Sequence, residues 1–320
     1  MTAITVVVPL FNEQPSLQAL YDQLAAVLAG IAADWEIIFV DDGSSDGSFA
    51  VLTDLVDRDA RARALRLRAH AGKAAALRAG FERAQGEIVV TMDADLQDDP
   101  AELPRLVARL REGFDLVSGW RRVRRDPRGK VIASRLFNRI VRAVLDLPLH
   151  DVNCGYKAYR RELLEQLHPY GELYRYMPAF AQHLGVRIGE VEVRHAKRRH
   201  GRSKYGPMRL PKALLDLVTV LLLTRYRDRP LHFFGAAALA VSLGAVVVCA
   251  GAAALSALGL VTLAGGWAWC VGALTLVVVV QLLGVGLVAE QWRATAGAPL
   301  PTPADEYQST NGHVQRVSND

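Results

Sequence analysis

The sequence contains little cysteine and lacks the features of a secreted or disulfide-stabilised protein. Its three cysteines, Cys154, Cys249 and Cys270, include no Cys-x-x-Cys pair. This spacing argues against a disulfide framework and against a zinc site, and it agrees with a reducing compartment. The N-terminus has no basic segment before its first apolar run, so we do not expect a secretory signal there.

Charged residues are absent from a long stretch near the C-terminus. Between Phe233 and Ala289 there is no Asp, Glu, Lys or Arg. As one helix this run would be about 85 Å long, whereas a bilayer core is about 30 Å thick and needs about 20 apolar residues. Two membrane spans, near 233–255 and 267–289, therefore fit. A buried helical hairpin of a soluble protein is the alternative, but charge-free runs of this length are rare in soluble proteins.

The positive charges beside this run predict its orientation. Arg225, Arg227 and Arg229 precede the first span, and the connector between the spans carries no charge. By the positive-inside bias, the large N-terminal part is cytoplasmic. Two spans return the chain to the same side, so the C-terminal tail is also expected in the cytoplasm.

These observations divide the chain into four parts. We predict a folded domain over 1–208 and a juxtamembrane amphipathic helix with a basic linker over 209–229. The two-helix transmembrane hairpin occupies 230–290, and a polar, disordered cytoplasmic tail occupies 291–320. For the helix near 210–223, an ordinary core helix of the folded domain is the alternative.

Basic residues exceed acidic ones, giving a formal net charge of +5, and the excess lies in clusters at 121–130 and 194–204. Nucleic-acid binding is one interpretation of such clusters. Aromatic residues are sparse within them, however, and a predicted membrane segment follows. We therefore expect no nucleic-acid partner, and instead anionic lipid headgroups or phosphate-bearing small molecules. The sequence leaves a homo-oligomer open.

Strands and helices alternate along the first 120 residues. Apolar runs at 4–10, 36–40, 64–67, 88–92 and 114–118 predict strands, and helical periodicity or alanine-rich segments lie between them. This alternation predicts an α/β fold with a mostly parallel sheet, in which ligands bind at the carboxyl ends of the strands. No Gly-x-Gly-x-x-Gly follows the first strand, which argues against an NAD-binding unit.

Acidic segments follow two of these strands. Asp41-Asp42 follows the second, and Asp93-Ala94-Asp95-Leu96-Gln97 follows the strand at 88–92. In an extended stretch, residues 93, 95 and 97 point the same way, so three oxygen donors would converge. Such donors suit Mg²⁺ or Mn²⁺. A solvated acidic turn is the alternative for either segment alone.

Four motifs together resemble the family 2 glycosyltransferases of GT-A fold. They are Val8-Pro9-Leu10-Phe11-Asn12-Glu13, Val40-Asp41-Asp42-Gly43-Ser44, Gly72-Lys73 and Asp93-Ala94-Asp95-Leu96-Gln97-Asp98. Ser203-Lys204-Tyr205 and the two predicted spans make the chain similar to the polyprenyl-phosphate group, which includes dolichyl-phosphate mannose synthases and bacterial polyprenyl-phosphate glucosyltransferases. The resemblance implies a Rossmann-like GT-A domain. It also implies inverting, metal-dependent transfer of one sugar from a nucleotide sugar, with UDP-glucose or GDP-mannose favoured, to a polyprenyl phosphate.

The resemblance also implies a role for each matched residue. The nucleotide would contact Pro9, Phe11, Glu13, Asp41 and Lys73. A Mg²⁺ or Mn²⁺ cofactor would be held by the catalytic residues Asp93, Asp95 and Gln97, and the donor diphosphate would meet Arg199 and Lys204. The lipid phosphate would meet Arg121, Lys130 and Ser134, with Arg121 also catalytic. For every basic residue, a solvated surface charge is the alternative.

One further absence concerns the acceptor. Glycosyltransferases with sugar acceptors usually carry a carboxylate base in a segment that corresponds here to 173–180, and this segment has no carboxylate. A phosphate monoester is already anionic near neutral pH, so it needs cations rather than a base. The sequence supplies cations and omits the base, which favours a lipid-phosphate acceptor.

Two other functions compete with this interpretation. A processive polysaccharide synthase would carry Gln-x-x-Arg-Trp and more spans, whereas Gln291-Trp292-Arg293 has a different order. A catalytically inactive membrane scaffold would not need the full set of metal and phosphate ligands. A channel is disfavoured because charge-free spans offer no polar path.

Overall fold

The computed structural model describes residues 2–123, 128–167, 170–196 and 209–226, isolated helical positions between 233 and 291, and the backbone of two strands near the C-terminus. The side chains of 128–130, 133 and 209–211 are outside the description. The strands are β1 (Ile4–Leu10), β2 (Trp35–Asp41), β3 (Ala62–Leu67), β4 (Ile88–Thr91), β5 (Leu116–Trp120), β6 (Lys157–Arg160), β7 (Ile188–Glu192), β8 (Pro303–Thr310) and β9 (His313–Val317). The α-helices are α1 (Gln14–Ile31), α2 (Ser48–Arg58), α3 (Lys73–Arg83), α4 (Leu103–Arg111), α5 (Arg128–Leu145), α6 (Arg161–Leu164), α7 (Met177–His183) and α8 (Arg209–Leu223).

The strands form one mixed sheet. Its order is β7-β5-β6-β4-β1-β2-β3, followed by β8 and β9 beyond β3. β1 pairs in parallel with β2 and β4, β2 with β3, and β5 with β7, whereas β6 runs antiparallel to both β4 and β5. Because β6 opposes both neighbours, β4 and β5 point the same way. The predicted α/β fold with a mostly parallel sheet is confirmed.

Helices cover both faces of the sheet, and this explains why its central strands are apolar throughout. All seven residues of β1 and of β2 are buried. Strands buried on both faces read as continuous apolar runs rather than alternating ones. α1, α2 and α4 contribute to the core on one face, and α3, α6 and α7 to the core on the other. On α1, Leu17, Leu20, Leu24 and Leu28 are fully buried, and each contributes about 2 kcal/mol by leaving water.

The C-terminal tail differs from the predicted disorder. β8 pairs antiparallel with β3, and β9 pairs antiparallel with β8. Without β8, β3 would be an edge strand with a row of unpaired backbone groups, which readily accepts an added strand. The tail has threonine, tyrosine and valine, which fit a strand, among its polar residues. The composition of the tail therefore did not reveal that part of it can pair with the edge strand β3.

The chain divides into two compact units, one of Met1–Asp216 with Leu300–Asp320 and one of Leu217–Pro299. The first unit extends past the predicted boundary at residue 208. None of the helices in the described part of the chain combines the length and the apolar character that crossing a bilayer requires. The spans predicted near 233–255 and 267–289 lie outside the described residues, apart from isolated helical positions.

Candidate active site

The predicted site residues lie along one edge of the sheet. β1, β2, β4 and β5 all point the same way, so the segments that follow their last residues meet at this edge. The segment after β1 carries Phe11 and Glu13, and Asp41 ends β2. The acidic segment 93–97 follows β4, and Arg121 follows β5. The topology thus brings together residues that are up to 110 positions apart, as the sequence predicts for an α/β sheet.

The segments after β1 and β2 are locked together. The Asn12 amide donates to the Ser44 hydroxyl at 2.8 Å, and the Glu13 amide donates to the Ser48 hydroxyl at 3.0 Å. Asn12 has φ of 52°, and its side-chain oxygen accepts from the Ser45 amide at 2.8 Å. Asparagine tolerates this left-handed backbone better than most residues. These contacts hold Phe11 in place, where its ring stacks on His70 with centroids 4.1 Å apart.

Asp41, which ends β2, and Asp42, which follows it, make different contacts. The Asp42 carboxylate accepts from the amides of Ala71 and Gly72 at 2.7 and 2.9 Å and pairs with His70. Burial raises the pKa of Asp42, although these hydrogen bonds oppose the rise. Asp42 therefore fixes the loop that starts α3 and places Lys73 at the site. Asp41 is fully buried, and its Oδ1 accepts from the Ser44 amide at 3.0 Å.

The acidic segment after β4 is a turn rather than the extended stretch that the sequence suggests. The Gln97 amide donates to Asp95 Oδ1 at 3.1 Å, and Leu96 has φ of 57°. An aspartate that bonds the amide two residues later makes such a turn. The idea that 93, 95 and 97 point the same way because of strand alternation is therefore wrong. A leucine in the left-handed region is strained, and such strain is common at functional sites.

Cations surround Asp93. Its Oδ1 forms an ion pair with Lys73 Nζ. Burial raises the pKa of Asp93, but Lys73, Arg121 and Lys157 outweigh burial and hold the pKa below its usual value. A Cβ on Gly155 would lie 3.1 Å from both Asp93 carboxylate oxygens, so this carboxylate rests directly against glycine backbone. The position is thus built for a carboxylate that keeps its negative charge.

Lys157 on β6 is a site residue that the sequence analysis missed. It is only 3% exposed, and its Nζ donates to the Cys154 carbonyl. Burial lowers its pKa to about 8. A lysine inside the apolar run Tyr156 to Tyr159 is the signal that could have revealed it, because a charge is rarely buried in a strand without a purpose.

His195 is a second residue that the sequence analysis missed. Its Nε2 lies 3.4 Å from the Gln97 side-chain nitrogen, which also donates to the Ala196 carbonyl at 3.3 Å. The Ala196 amide donates to the Gln97 carbonyl at 2.8 Å, so hydrogen bonds connect the segment after β7 to the acidic turn. No group of three His, Cys, Asp or Glu side chains with metal-site geometry occurs in the described ranges.

Arg121 is held by a buried carboxylate. Asp151 accepts from Arg121 Nε at 2.7 Å and from Nη2 at 3.1 Å. Asn138 donates to the same carboxylate at 3.3 Å. Burial opposes the charged guanidinium, yet Asp151 holds the pKa of Arg121 well above its usual value. The backbone amides of His150 and Asp151 both donate to Glu190 Oε1, at 2.8 and 3.0 Å. Arg121 is therefore a fixed cation rather than a solvated surface charge.

A basic cavity of about 610 Å³ opens beside Arg121. Ser134, which the sequence analysis paired with Arg121, also lines it, so the structure brings these two residues together. The cavity walls include five arginines and the carboxylates of Asp146 and Asp151. Such an excess of positive charge in a concave surface attracts anions. The arginines are Arg121, Arg122, Arg135, Arg139 and Arg142.

Three of the predicted site residues lie wholly or partly outside the described residues. Arg199 and Lys204 lie outside the described residues, and Lys130 lies in the first turn of α5 with its side chain outside them. The segment 173–180, which lacks a carboxylate, is described. It forms a short 3-10 helix and the start of α7, and its Tyr174 ring lies 5.2 Å from Lys73 Nζ. This segment therefore borders the site.

The sequence of this chain is similar to those of known glycosyltransferases. The family model for glycosyl transferase family 2 matches residues 5–168. The chain is 38% identical over 250 residues to the dodecaprenyl-phosphate galacturonate synthase of Rhizobium johnstonii, covering 77% of this chain and 73% of the relative. It is 36% identical over 295 residues to the undecaprenyl-phosphate 4-deoxy-4-formamido-L-arabinose transferase of Aeromonas hydrophila subsp. hydrophila, covering 90% and 87%.

Solved structures of glucosyl-3-phosphoglycerate synthase from Mycobacterium tuberculosis share the fold. The complex with UDP is 26% identical, has a TM-score of 0.50 and covers 68% of this chain and 80% of that one. The complex with Mn²⁺, UDP and phosphoglyceric acid is 24% identical, has a TM-score of 0.51 and covers 69% and 78%. These likenesses show the α/β GT-A fold. With the family match and the two relatives, they establish that the chain belongs to glycosyl transferase family 2 and is a glycosyltransferase related to the polyprenyl-phosphate glycosyltransferases.

Proposed function

We propose that the protein transfers one sugar from a nucleoside diphosphate sugar to a polyprenyl phosphate, with inversion, at the cytoplasmic face of a membrane. The observation that carries this proposal is the juxtaposition of the acidic turn after β4 with the basic cavity at the end of β5. Arg121 belongs to the cavity and also lowers the pKa of Asp93, so the two halves act on each other electrostatically. A site for a diphosphate leaving group therefore adjoins a site for a second anion.

The donor half would comprise the segments after β1 and β2 and the start of α3. Phe11 offers an aromatic face, and Pro9, Glu13 and Asp41 lie at the same sheet edge. Lys73 is placed beside Asp93 by the Asp42 loop, where its ammonium can reach a phosphate. The two polyprenyl-phosphate relatives, and the UDP complex of a protein with this fold, support a nucleotide-sugar donor.

The acidic turn fits a divalent cation. Asp93 and Asp95 offer hard carboxylate oxygens and Gln97 an amide oxygen, which suit Mg²⁺ or Mn²⁺. Gly155 has no side chain and so leaves room for the Asp93 carboxylate. That carboxylate already pairs with the positive charge of Lys73. When bound there, a divalent ion would neutralise charge on the departing diphosphate. Arg199 and Lys204 are proposed to add positive charge to the same diphosphate.

The acceptor half would be the cavity. Arg121, held by Asp151, would bind the lipid phosphate with Ser134, and Lys130 is proposed to join them. One acceptor phosphate oxygen attacks the anomeric carbon as the bond to the donor diphosphate breaks, so the carbon is inverted. No proton needs to be removed, because the attacking oxygen is already anionic near neutral pH. The lack of a carboxylate in 173–180 agrees with this step.

Surface residues support a position against the membrane. On α5, Ile132 and Leu136 are 67% and 59% exposed, and Arg135 lies between them on the same side of the helix. On α8, Leu214 and Leu215 are also exposed, and the Ala213 carbonyl accepts a hydrogen bond from Tyr176, which packs near Phe137 of α5. Exposed apolar residues beside arginines suit an anionic bilayer surface. We propose that the two predicted spans anchor the protein there.

A transfer assay tests the proposal. The full-length protein in detergent, with Mn²⁺ or Mg²⁺ and a polyprenyl phosphate, is offered labelled UDP-glucose, GDP-mannose and other nucleotide sugars. The two relatives are named for different sugars, so the panel includes UDP-galacturonate and UDP-pentoses. The expected product is a lipid bearing one sugar. Longer glycans, or no labelled lipid with any donor, would overturn the proposal.

A pair of variants tests the acidic turn in the same assay. Asp95→Ala is expected to lower transfer by at least about 100-fold, as for loss of a group that stabilises developing charge. Asp22→Ala, which removes an exposed carboxylate from α1, is expected to leave transfer unchanged. Equal activity in the two variants would remove the acidic turn from the site.

A further inference from the structure

Lys157 is a buried cation that forms no ion pair within the part of the chain that the structure describes. It lies on β6 with only 3% of its surface exposed. Its Nζ donates to the Cys154 carbonyl and lies 3.5 Å from the Val152 carbonyl. A buried charge that lacks a paired opposite charge is costly and has to be compensated by hydrogen bonds. These two carbonyls are therefore the groups that stabilise the ammonium.

Lys157 shares one row and one face of the sheet with Glu190. In the register, Ser118 of β5 pairs with Lys157 of β6 on one side and with Glu190 of β7 on the other. Side chains of paired residues point to the same face of a sheet, and neighbouring strands are about 4.8 Å apart. The backbones of Lys157 and Glu190 are thus about 10 Å apart.

The two charged side chains bind opposite kinds of backbone group in the segment 150–155. Glu190 accepts from the amides of His150 and Asp151 at the start of this segment. Lys157 donates to a carbonyl near its end. A carboxylate can only accept hydrogen bonds and an ammonium can only donate them, so each takes the groups that suit it. Buried charges of opposite sign therefore hold the two ends of the segment.

These two ends belong to different halves of the site. Asp151 accepts two hydrogen bonds from Arg121 in the basic cavity. Gly155 leaves space for the Asp93 carboxylate, since a Cβ on it would lie 3.1 Å from both oxygens. Lys157 binds the backbone between these two positions. A displacement of that backbone would therefore disturb both halves.

We propose that Lys157 is a positioning residue for both halves of the site. Its ammonium holds the segment 150–155 so that Arg121 meets the acceptor phosphate and Asp93 keeps its place in the acidic turn. Because Lys157 is buried, it acts through this segment rather than by touching a substrate. The proposal rests on the proposed transfer to a polyprenyl phosphate, and it gives this lysine a role that none of the sequence motifs shows.

A purely electrostatic role is the competing explanation. Burial raises the pKa of Asp93, and Lys73, Arg121 and Lys157 together lower it, with Lys157 contributing the least of the three. Loss of the Lys157 charge alone would weaken anion binding whatever the orientation of Asp151. Loss of positioning would instead act on the acceptor through Asp151. The two explanations therefore differ in how a change at Lys157 combines with a change at Asp151.

Lys157→Met tests the proposal in the full-length protein in detergent. Farnesyl phosphate, a short polyprenyl phosphate, is titrated by calorimetry, which needs no transfer step. Its affinity should fall about tenfold, and kcat for transfer should fall about tenfold, since groups that orient binding residues typically contribute 10- to 100-fold. The melting temperature at pH 7 should not fall, so unfolding would not explain the losses.

Each failure in this experiment has a separate meaning. Unchanged affinity for farnesyl phosphate in Lys157→Met would overturn the positioning role alone. No binding of farnesyl phosphate to the wild type would overturn the proposed acceptor and this role with it. A lower melting temperature with losses in proportion would show that the lysine serves the fold, which would also overturn the role.

The double variant Asp151→Asn with Lys157→Met separates positioning from charge. If Lys157 acts on the acceptor through Asp151 and Arg121, that route is already broken in Asp151→Asn. The second change should then weaken farnesyl phosphate binding by no more than about threefold further, because changes within one network are not additive. Two losses of about tenfold that multiply to about 100-fold would show independent action of the charge and would overturn the role.

Arg63→Met is the matched control, because it also removes a buried cation from a strand. Arg63 lies near the start of β3, away from the carboxyl ends of the strands, and pairs with Glu36 at 3.2 Å. Loss of one partner of this buried pair should lower the melting temperature. Below that temperature the affinity for farnesyl phosphate should equal that of the wild type. An equal loss of affinity in Arg63→Met and Lys157→Met would show a general effect of removing a buried cation and would overturn the assignment.

Discussion

Arg121 and Asp151 form a bidentate ion pair, with Nε and Nη2 of the arginine at 2.7 and 3.1 Å from the two carboxylate oxygens. Planar pairing of this kind fixes the direction of the guanidinium as well as its charge. Both side chains are largely buried, so the pair is screened little by solvent. The cavity beside it thus has one arginine with a defined orientation among four others.

Asp151→Asn should weaken acceptor binding specifically. The amide can accept only one of the two guanidinium hydrogen bonds, and Arg121 would turn away from the cavity. We expect the KM for polyprenyl phosphate to rise about tenfold or more, because removing one partner of a buried pair disturbs the other. Affinity for UDP with Mn²⁺ should be unchanged. Steady-state kinetics and calorimetry check the two values, and a change confined to UDP affinity would contradict the role.

Lys73→Met should raise the affinity of the nucleotide-free protein for Mn²⁺. The Lys73 ammonium neutralises Asp93, so it competes with a metal ion for that carboxylate. We expect a gain of about tenfold, or about 1.4 kcal/mol. The same variant should bind UDP more weakly, because the ammonium is proposed to move to the diphosphate. Mn²⁺ titration followed by electron paramagnetic resonance measures the first effect.

Lys212→Met is the control for that experiment, since Lys212 is exposed on α8. Its Mn²⁺ affinity should equal that of the wild type. Weaker Mn²⁺ binding in Lys73→Met than in this control would show that Lys73 assists the metal rather than competing with it.

Gly155→Ala should disturb the acidic turn by steric crowding, without any change of charge. The added Cβ would lie 3.1 Å from both oxygens of Asp93, and either the carboxylate or the segment that precedes β6 must shift. We expect weaker Mn²⁺ binding and a loss of transfer of about tenfold, since small displacements at a reacting centre are costly. Gly30→Ala on α1 meets no atom within 4 Å and should retain full activity. Equal activity in the two variants would contradict the role of Gly155.

Lys157→Met should stabilise the protein at neutral pH while impairing transfer. Burial lowers the pKa of Lys157 to about 8, so the folded state holds this proton less tightly than the unfolded state. The unfolded chain therefore binds more protons between pH 8 and about 10, and wild-type stability should rise with pH across that window. The cost of keeping Lys157 charged at pH 7 is on the order of 3 kcal/mol.

Thermal unfolding from pH 7 to 10 tests this prediction. The difference in melting temperature between Lys157→Met and the wild type should be largest at pH 7 and shrink as the pH rises. A difference that does not vary with pH would show that the lysine contributes by packing alone.

The donor half of the site was the more predictable from sequence. Phe11, Asp41 and Asp93 each follow an apolar run that is buried on both faces, and parallel strands align their carboxyl ends. The chemistry of these residues is also carried by short local motifs. The local motifs and the rule that ligands bind at the carboxyl ends of parallel strands therefore predict the same location. The structure places these residues along that edge of the sheet.

The acceptor half depends on contacts that no local pattern encodes. Asp151 lies 30 residues from Arg121. Lys157 acts electrostatically on Asp93 because β6 runs antiparallel between β4 and β5. β6 has only four residues and begins with a lysine, so the sequence pattern did not predict a strand there. At Leu96 the backbone is set by a hydrogen bond from the next residue to Asp95, which overrides strand alternation. The first two features arise from tertiary pairing and the third from a local turn, and none of them is visible in composition or periodicity.

Glu190 holds the backbone of His150 and Asp151 from β7, and β7 lies beyond residue 168, where the family match ends. The support for the backbone of Asp151, and through it for Arg121, thus comes partly from a segment that the family match does not include. If Arg121 binds the acceptor as we propose, substitutions at Glu190 should change acceptor binding and leave donor binding unchanged. A fragment that ends at residue 168 would keep the residues proposed to bind the nucleotide and would lose Glu190, which holds the backbone beside Arg121.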